Sequence, residues 1–453
     1  MEQSIGKVTM KKEISIYFIV FAMLALLGGV LFGIIGAFQF IIPGFFKSIP
    51  FIQCRPLHVS LVIAWIFLSS IGSIYYYLSH YCNVTLYSNR MPVMHLWIFI
   101  GAGFLVLVAY LAGIFGGREY WEFPPILAIP ILISWILFGL NFFKTVFKKT
   151  DPWPVYIWMW GTGIFFFFFT YVESNLWVFP YFRDNLVRDI TVQWKSNGSL
   201  VGSWNMLIYG TAIFLMDRIK NDYRISTSRL AFIMYFLGLV NLIFNWAHHI
   251  YIVPNALWVR YIAYGISMTE LIILGKIIWN WKKSLSKAMQ DFHILAVRFI
   301  VASDVWILLN LVLAIALSIP AINIFTHGTH LTVAHAMGST IGINTMILVA
   351  SCLFLLTDVT KQQFNQRQAV FISIGFWIMN FILLFFWLAL IFAGLIKGYL
   401  VIEDKLTYQE IMLHVKPYLM IVAISGAVIF AGILMIFIPA LKLIVNYIRK
   451  VIV

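Results

Sequence analysis

The sequence predicts an all-α fold, a polytopic membrane bundle of about twelve transmembrane helices. Three observations carry this. The 453-residue chain is 62% hydrophobic and only 11% charged, against about 25% charged residues in ordinary soluble domains. Apolar runs recur along its whole length, many longer than the roughly 20 residues that span a hydrocarbon core. The runs are unbroken rather than alternating in polarity, which argues against a transmembrane barrel.

Taken in order, the first expected span, 15–43, follows Lys7, Lys11 and Lys12; it is too long, and lacks a small-residue cleavage site, to be a removed signal peptide. Span two, 57–80, opens on RPLHVSLVIAW with His58. Span three, 93–115, runs into the polar stretch GGREYWEFPP (116–125), and span four covers 126–147. Lys144, Lys148 and Lys149 separate it from span five, 154–173. The mixed-charge stretch YFRDNLVRDITVQWKSNG (181–198) reads as a loop before span six, 199–217. Arg218, Lys220, Arg224 and Arg229 lead to span seven, 230–251, which ends in NWAHHIYIVP. Span eight, 256–280, contains MTELIIL, and Lys282, Lys283 and Lys287 precede span nine, 294–319. Span ten, 330–357, begins with His330 and carries His335 and Met337. Spans eleven and twelve, 370–396 and 418–447, flank KGYLVIEDKLTYQEIMLHVKPY (397–418), and Arg449 and Lys450 follow. No low-complexity linker interrupts residues 1–453, so one compact domain is expected.

With twelve spans, every basic cluster falls on one side. The positive-inside rule makes that side the cytoplasm, with both termini inside. The net charge of +14 is then mostly topology, and no basic patch sits on a soluble domain where nucleic acid would bind. The opposite loops are mixed-charge, aromatic and longer than a turn requires, which suits a partner or a cofactor's polar edge. Cys54, Cys82 and Cys352 form no CxxC or CxxCH pattern, so covalent c-type haem, cysteine-bound zinc and iron–sulfur clusters have no support. Phosphate loops, GxSxG and HExxH are likewise absent, which leaves hydrolase and nucleotide chemistry without support.

The chain has ten histidines, and six of them fall near one level. His58 opens span two, His248 and His249 end span seven, and His327, His330 and His335 enter span ten. Alternating span direction brings all of them toward the outer face. His335, about five residues into its helix, lies roughly 7–8 Å deep at 1.5 Å rise per residue. One such imidazole is usually a satisfied interfacial side chain; several at one level point to function. Residues two apart on a helix diverge by about 200°, so His335 and Met337 face opposite sides and could serve two centres. Imidazole and thioether are both axial haem ligands, although most membrane methionines merely pack. The adjacent His248 and His249 diverge by about 100° and can share an ion only near a frayed helix end, which Pro254 suggests.

Read together, RPLH (55–58), GREYWEFP (117–124), AHHIYIVPNALWV (247–259), MTELIIL (268–274) and THGTHLTVAH (326–335) resemble the catalytic large subunit of bacterial nitric oxide reductase, within the haem–copper oxidase superfamily. The resemblance implies two haems. His58 would ligate a low-spin haem b and His335 a high-spin b-type haem. His248 and His249 would hold a non-haem iron or other metal, with Glu270 as the carboxylate beside it. Glu119 resembles a carboxylate that binds calcium, and Arg55, Arg118 and His327 would lie in the haem propionate region. A membrane-anchored cytochrome c subunit or another donor would supply electrons at the outer face.

Two departures from the family pattern stand out. His-Gly-His in span ten is replaced by His335-Ala336-Met337, so Met337 would be the second ligand of the low-spin haem, raising its potential relative to bis-histidine. The span-six histidine that completes the family's metal site is missing from VQWKSNGSLVGSWN (192–205); one register puts Asn197 there, the other Gly198. Glu270 could close a two-histidine, one-carboxylate iron site, Asn197 could replace the lost ligand, or the metal could be absent. The expected activity is reduction of nitric oxide, a small gas, to nitrous oxide. Nitric oxide dismutation, oxygen reduction, and a non-catalytic haem sensor or electron-transfer subunit remain as alternatives.

Overall fold

The computed structural model describes residues 13–251, 253–254, 256–267, 269–403 and 405–452; Lys7, Lys11, Lys12 and Met268 lie outside the described residues. Among the described residues, twelve helices are long and apolar enough to cross a membrane, in the number and order expected. They are α1 (Ile14–Ile41), α2 (Phe51–Tyr81), α3 (Met91–Leu111), α4 (Pro125–Val146), α5 (Val155–Val178) and α6 (Leu186–Lys220). The second half comprises α7 (Arg229–Ile250), α8 (Leu257–Ser284), α9 (Ile294–Ser318), α10 (His330–Thr360), α11 (Gln366–Glu403) and α12 (Tyr408–Lys450). No strand occurs among the described residues; the sole β-type pairing there is a bridge between Arg118 and Trp121.

Local chemistry sets the helix ends. Asn185, Ser228 and Thr329 cap α6, α7 and α10 by accepting hydrogen bonds from the backbone N–H groups of Arg188, Ala231 and Leu331. Left-handed residues, Asn221 at φ 52° and Lys361 at φ 51°, terminate α6 and α10. The most buried helices are α6, α10 and α2, which pack on one another at the centre. The remaining helices surround them, with α1 against α2 and α12, α5 against α6, α7 against α8, and α9 and α11 against α10. Small residues permit the closest approaches, as expected where lipid supplies no hydrophobic drive between helices. Gly338 and Gly342, four apart on α10, abut Asn310 and Trp306 of α9. They fall within a π-helical stretch, Gly338–Thr345, that follows Met337 directly; such turns are frequent at functional sites.

Several helices are longer than hydropathy suggests, α6, α11 and α12 most of all. The α6 helix starts at Leu186, so most of the 181–198 stretch read as a loop is helix. Likewise α11 continues to Glu403 and α12 begins at Tyr408. A hydropathy window ends where side chains turn polar, whereas a helix satisfying its own backbone hydrogen bonds continues beyond the apolar layer.

The two ends of the bundle differ chemically. At one end Lys144 and Lys148 lie over the Tyr87 ring and Arg218 over the Tyr81 ring. The other end carries His58, His248, His249, His327, His330 and His335 and ion pairs of both signs: Arg118 with Asp189, Lys195 with Glu173, and Arg55 with Glu119 and Glu122.

Candidate functional site

A partly open pocket lies at the histidine end, where α7, α9 and α10 meet. His248, His249, His327 and His335 line it together with Asn245 and Asn323. The α-helical part of α7 stops at Phe244, and Asn245–Ile250 winds as a 3₁₀ turn, the local irregularity that lets adjacent histidines share a site. Their ring centroids are 4.1 Å apart. His248 Nδ1 lies 3.1 Å from Asn245 Oδ1. Because that oxygen accepts, the Nδ1 carries the proton and Nε2 is the nitrogen left for a ligand. The indole of Trp194 stacks on His249 at 5.3 Å with the planes 14° apart, and His327 lies edge-on to both rings. Burial pushes the His327 imidazole down, with the Glu119 carboxylate opposing that shift.

His335 enters from the first turns of α10. Its Nδ1 and that of His249 are buried without a hydrogen-bond partner, a condition that costs about 1–3 kcal/mol per group unless something binds. These imidazoles fit a metal or haem iron. Among the described residues, however, no three His, Cys, Asp or Glu side chains converge closely enough to hold one ion.

His58 shows a separate sign of ligand duty. Its Nδ1 is 2.7 Å from the Gly29 carbonyl oxygen of α1, so Nδ1–H donates and Nε2 is free, the arrangement metal-bound histidines favour. The absence of a side chain at Gly33 makes room for the ring: a Cβ there would sit 2.7 Å from Nδ1. Two contacts pin α2 beside α10. Trp65 Nε1 donates to Thr345 Oγ1 at 3.1 Å, and Ser73 Oγ lies 2.8 Å from Ser351 Oγ. Counting back from the first contact, seven residues on α2 reach His58 and eight on α10 reach Met337, so the two stand at a similar level on packed helices.

Glu270 is not brought into the histidine cavity. It is buried on α8 in a second, smaller pocket, lined also by Asn205, Tyr209 and Asn241. Asn241 Nδ2 donates to its Oε1 at 2.8 Å, while Oε2 has no partner. Asn241 is one helical turn before Asn245, so the two cavities are neighbours. Of the three outcomes left open by the sequence, closure of a two-histidine site by Glu270 is therefore not made among the described residues.

The span-six departure also has a structural account. A Cβ on Gly198 would lie 2.5 Å from Trp246 Cβ and 2.8 Å from its Cα, and one on Gly202 would lie 2.9 Å from Leu242 Cα. The GSLVG segment thus closes α6 onto the end of α7, and no side chain fits at position 198. Asn197 is buried, donates to the Glu119 carbonyl at 3.4 Å and leaves its Oδ1 unpartnered, but it does not line the histidine cavity.

The loop after α3 is a tight turn. Gly116 and Gly117 N–H groups both donate to the Glu122 carbonyl at 3.1 Å, and Tyr120 adopts φ 73°. Arg55 bridges Glu119 and Glu122, the latter at 3.0 Å, so the expected calcium carboxylate is already compensated by a guanidinium. Burial raises the Glu122 carboxyl against the pull of Arg55. Arg118 donates to both Asp189 oxygens at 3.1 Å and lies 4.9 Å from the Trp177 ring centre. Sequence reading missed Asn245, Trp194, Gly29 and Gly33. Only Asn245, three residues before His248 in NWAHH, left a readable trace.

The family model described as cytochrome c and quinol oxidase polypeptide I matches residues 13–428. The chain is 24% identical over 416 residues to a nitric oxide reductase subunit of Stutzerimonas stutzeri, covering 84% of each. It is also 24% identical to the Cbb3-type cytochrome c oxidase subunit CcoN1 of the same organism, covering 84% of this chain and 83% of that one. Cytochrome c oxidase subunit 1 of Rhodobacter capsulatus is 25% identical, over 82% of this chain and 72% of that one. A solved heme-copper terminal oxidase dimer shares the fold at TM-score 0.75 and 13% identity, over 95% of this chain and 83% of its own. With the match running through all but the two ends of this twelve-helix framework, the chain belongs to the cytochrome c and quinol oxidase polypeptide I family of the haem–copper oxidase superfamily.

Proposed function

We propose that this chain is a membrane oxidoreductase that reduces nitric oxide to nitrous oxide, consuming two electrons and two protons for every two NO. The observation that supports this reading best is the single cavity lined by His248, His249 and His335 from two helices, with His58 independently tautomer-fixed on α2.

In this reading His335 holds a high-spin haem b and His58 with Met337 a low-spin haem b. His248 and His249 would hold a non-haem iron or another metal. When bound, these centres supply one-electron chemistry and Lewis acidity. The chain's own groups do the rest. Asn245 keeps the His248 Nε2 turned toward the cavity, and Trp194 restricts the His249 ring by stacking. Glu270, anchored by Asn241, holds a proton next to the site rather than ligating. Arg55, Arg118 and His327 surround the propionate region, and calcium at Glu119 would have to displace Arg55. Asn197 leaves its carbonyl oxygen for a water. A membrane-anchored cytochrome c subunit docks at the histidine end, which faces outward from a bacterial cytoplasmic membrane with both termini in the cytoplasm. The chain forms one domain.

The test is a reduced-minus-oxidised spectrum with metal analysis, NO consumption and N₂O detection on the purified chain, and oxygen consumption as the competing reading. Two b-type haem signals, about three irons per chain and N₂O are expected. His248→Ala should abolish N₂O formation and keep the Soret band. A colourless protein, or N₂O formation at the wild-type rate in His248→Ala, overturns the reading.

A further inference from the structure

The face that α2 turns toward α10 carries Trp65, Ser69, Ser73, Tyr77 and Tyr81, spaced four residues apart and hence one above the other at about 6 Å intervals. In a helix whose other faces are largely apolar, this stripe runs from the level of the π-helical stretch to the basic end. Partners on α10 meet it at Trp65, Ser73, Tyr77 and Tyr81, while the Ser69 hydroxyl donates to the Trp65 and Ile66 carbonyls of its own helix. Thr345 Oγ1 accepts from Trp65, Ser351 Oγ lies 2.8 Å from Ser73 Oγ and 2.7 Å from Tyr77 OH, and Asp358 accepts from Tyr81 OH and, at 2.8 Å, from Tyr76 OH. Ser69, Ser73, Tyr77 and Ser351 are fully buried, whereas the Asp358 side chain is 19% exposed.

Asp358 sits at the mouth of this seam, ringed by groups that exchange protons with water. Lys361 pairs with it at 2.8 Å from an exposed position. His80 and Glu13 pair at 3.2 Å, and His80 stacks on Tyr76. Arg218 covers the Tyr81 ring from α6, and His293 sits against Phe354 one turn away on α10. At the far end, Asn344, next to Thr345, donates to Asn205 Oδ1 at 3.2 Å, and Asn205 lines the cavity that holds Glu270.

We propose that the α2–α10 seam is a proton path, taking protons up at Asp358 and delivering them through the Tyr77–Ser351–Ser73 hydroxyls toward the second cavity. Hydroxyls between membrane helices often serve only as glue. Glue does not require an acid at a solvent-reached mouth, nor a stripe in unbroken four-residue register leading to a polar cavity. Each hydroxyl accepts a proton on one side and releases its own on the other, so one proton moves per passage and nothing is oxidised or reduced. Water bridging successive side chains one helical turn apart would complete the path. The protons are drawn by reduction at the histidine site, so the path rests on the oxidoreductase reading above.

The experiment is rapid reduction of the purified, cofactor-loaded full chain with a pH-indicating dye, first in detergent and then in vesicles with the dye on one side. Asp358→Asn and Ser351→Ala should slow reduction-linked proton uptake at least tenfold with unchanged haem spectra, and Asp358→Glu and Ser351→Thr should restore it. In vesicles the uptake should come from the compartment that Asp358 faces. Should Ser351→Ala fail to fold, Tyr77→Phe removes the same link by deleting one oxygen. Wild-type uptake in the variants, uptake in Ser351→Thr as slow as in Ser351→Ala, or uptake only from the histidine side overturns the path. Absence of N₂O with intact, Asp358-dependent uptake would instead sink the nitric oxide reading and leave the path standing.

Discussion

Gly33→Ala tests whether His58 is held as a ligand. The new Cβ would lie 2.7 Å from His58 Nδ1, 2.9 Å from Cε1 and 3.3 Å from Cγ. Ordinary contacts sit at about 3.5–4.0 Å, so the ring must retreat by roughly 0.8 Å or more. That retreat breaks the 2.7 Å bond to the Gly29 carbonyl. Overpacking costs about 1–3 kcal/mol and the lost hydrogen bond about 0.5–1.5 kcal/mol. Alanine's better helix propensity offsets about 0.5–1 kcal/mol, leaving a net loss of about 0.5–4 kcal/mol. The imidazole also loses the bond that fixes its tautomer. Absorbance and redox titration of the purified variant should show the low-spin haem signal weakened or shifted, with the high-spin signal intact. Gly28→Ala on the same helix is the control, since its Cβ meets only the flexible Leu61 Cδ1 at 3.3 Å. A Gly33→Ala protein with wild-type stability, spectrum and potential refutes the reasoning.

Gly198→Ala should lower thermal stability by about 1–3 kcal/mol and disturb the 3₁₀ turn bearing His248 and His249, because its Cβ meets the Trp246 backbone; Gly101→Ala, with open space around it, should not. Thr345→Val removes the Trp65 acceptor and should cost about 1–3 kcal/mol through the buried unpaired indole N–H, read as a lower unfolding midpoint. His293 is depressed by burial, with Asp358 opposing. Its unfolded state binds the proton more tightly, so the stability it contributes is present above its ordinary pKa near 6.5 and is lost as pH falls below it. Midpoints measured from pH 8 to 5 should therefore fall less in His293→Gln than in the wild type. Equal slopes would exclude that contribution.

The number and order of the membrane helices were readable from sequence because hydropathy accumulates residue by residue and needs no partner. So was the gathering of His58, His248, His249 and His335 at one end, since alternating direction and a constant rise per residue convert sequence position into depth. The helix ends were less readable: α6, α11 and α12 run past their apolar windows because backbone hydrogen bonding does not depend on side-chain polarity.

What only the tertiary structure decided is which of these groups share a space. Glu270 and His248 both read as members of one centre, yet they line neighbouring cavities, because lateral position is set by how closely the helices approach. Gly198 appeared as a vacant ligand position. In the folded chain it is the contact that brings α6 against Trp246, and the same lack of a side chain at Gly33 makes room for the His58 ring. Depth is a property of one helix and can be counted along it; convergence depends on side-chain volumes facing one another across helices distant in sequence, which no count along the chain contains.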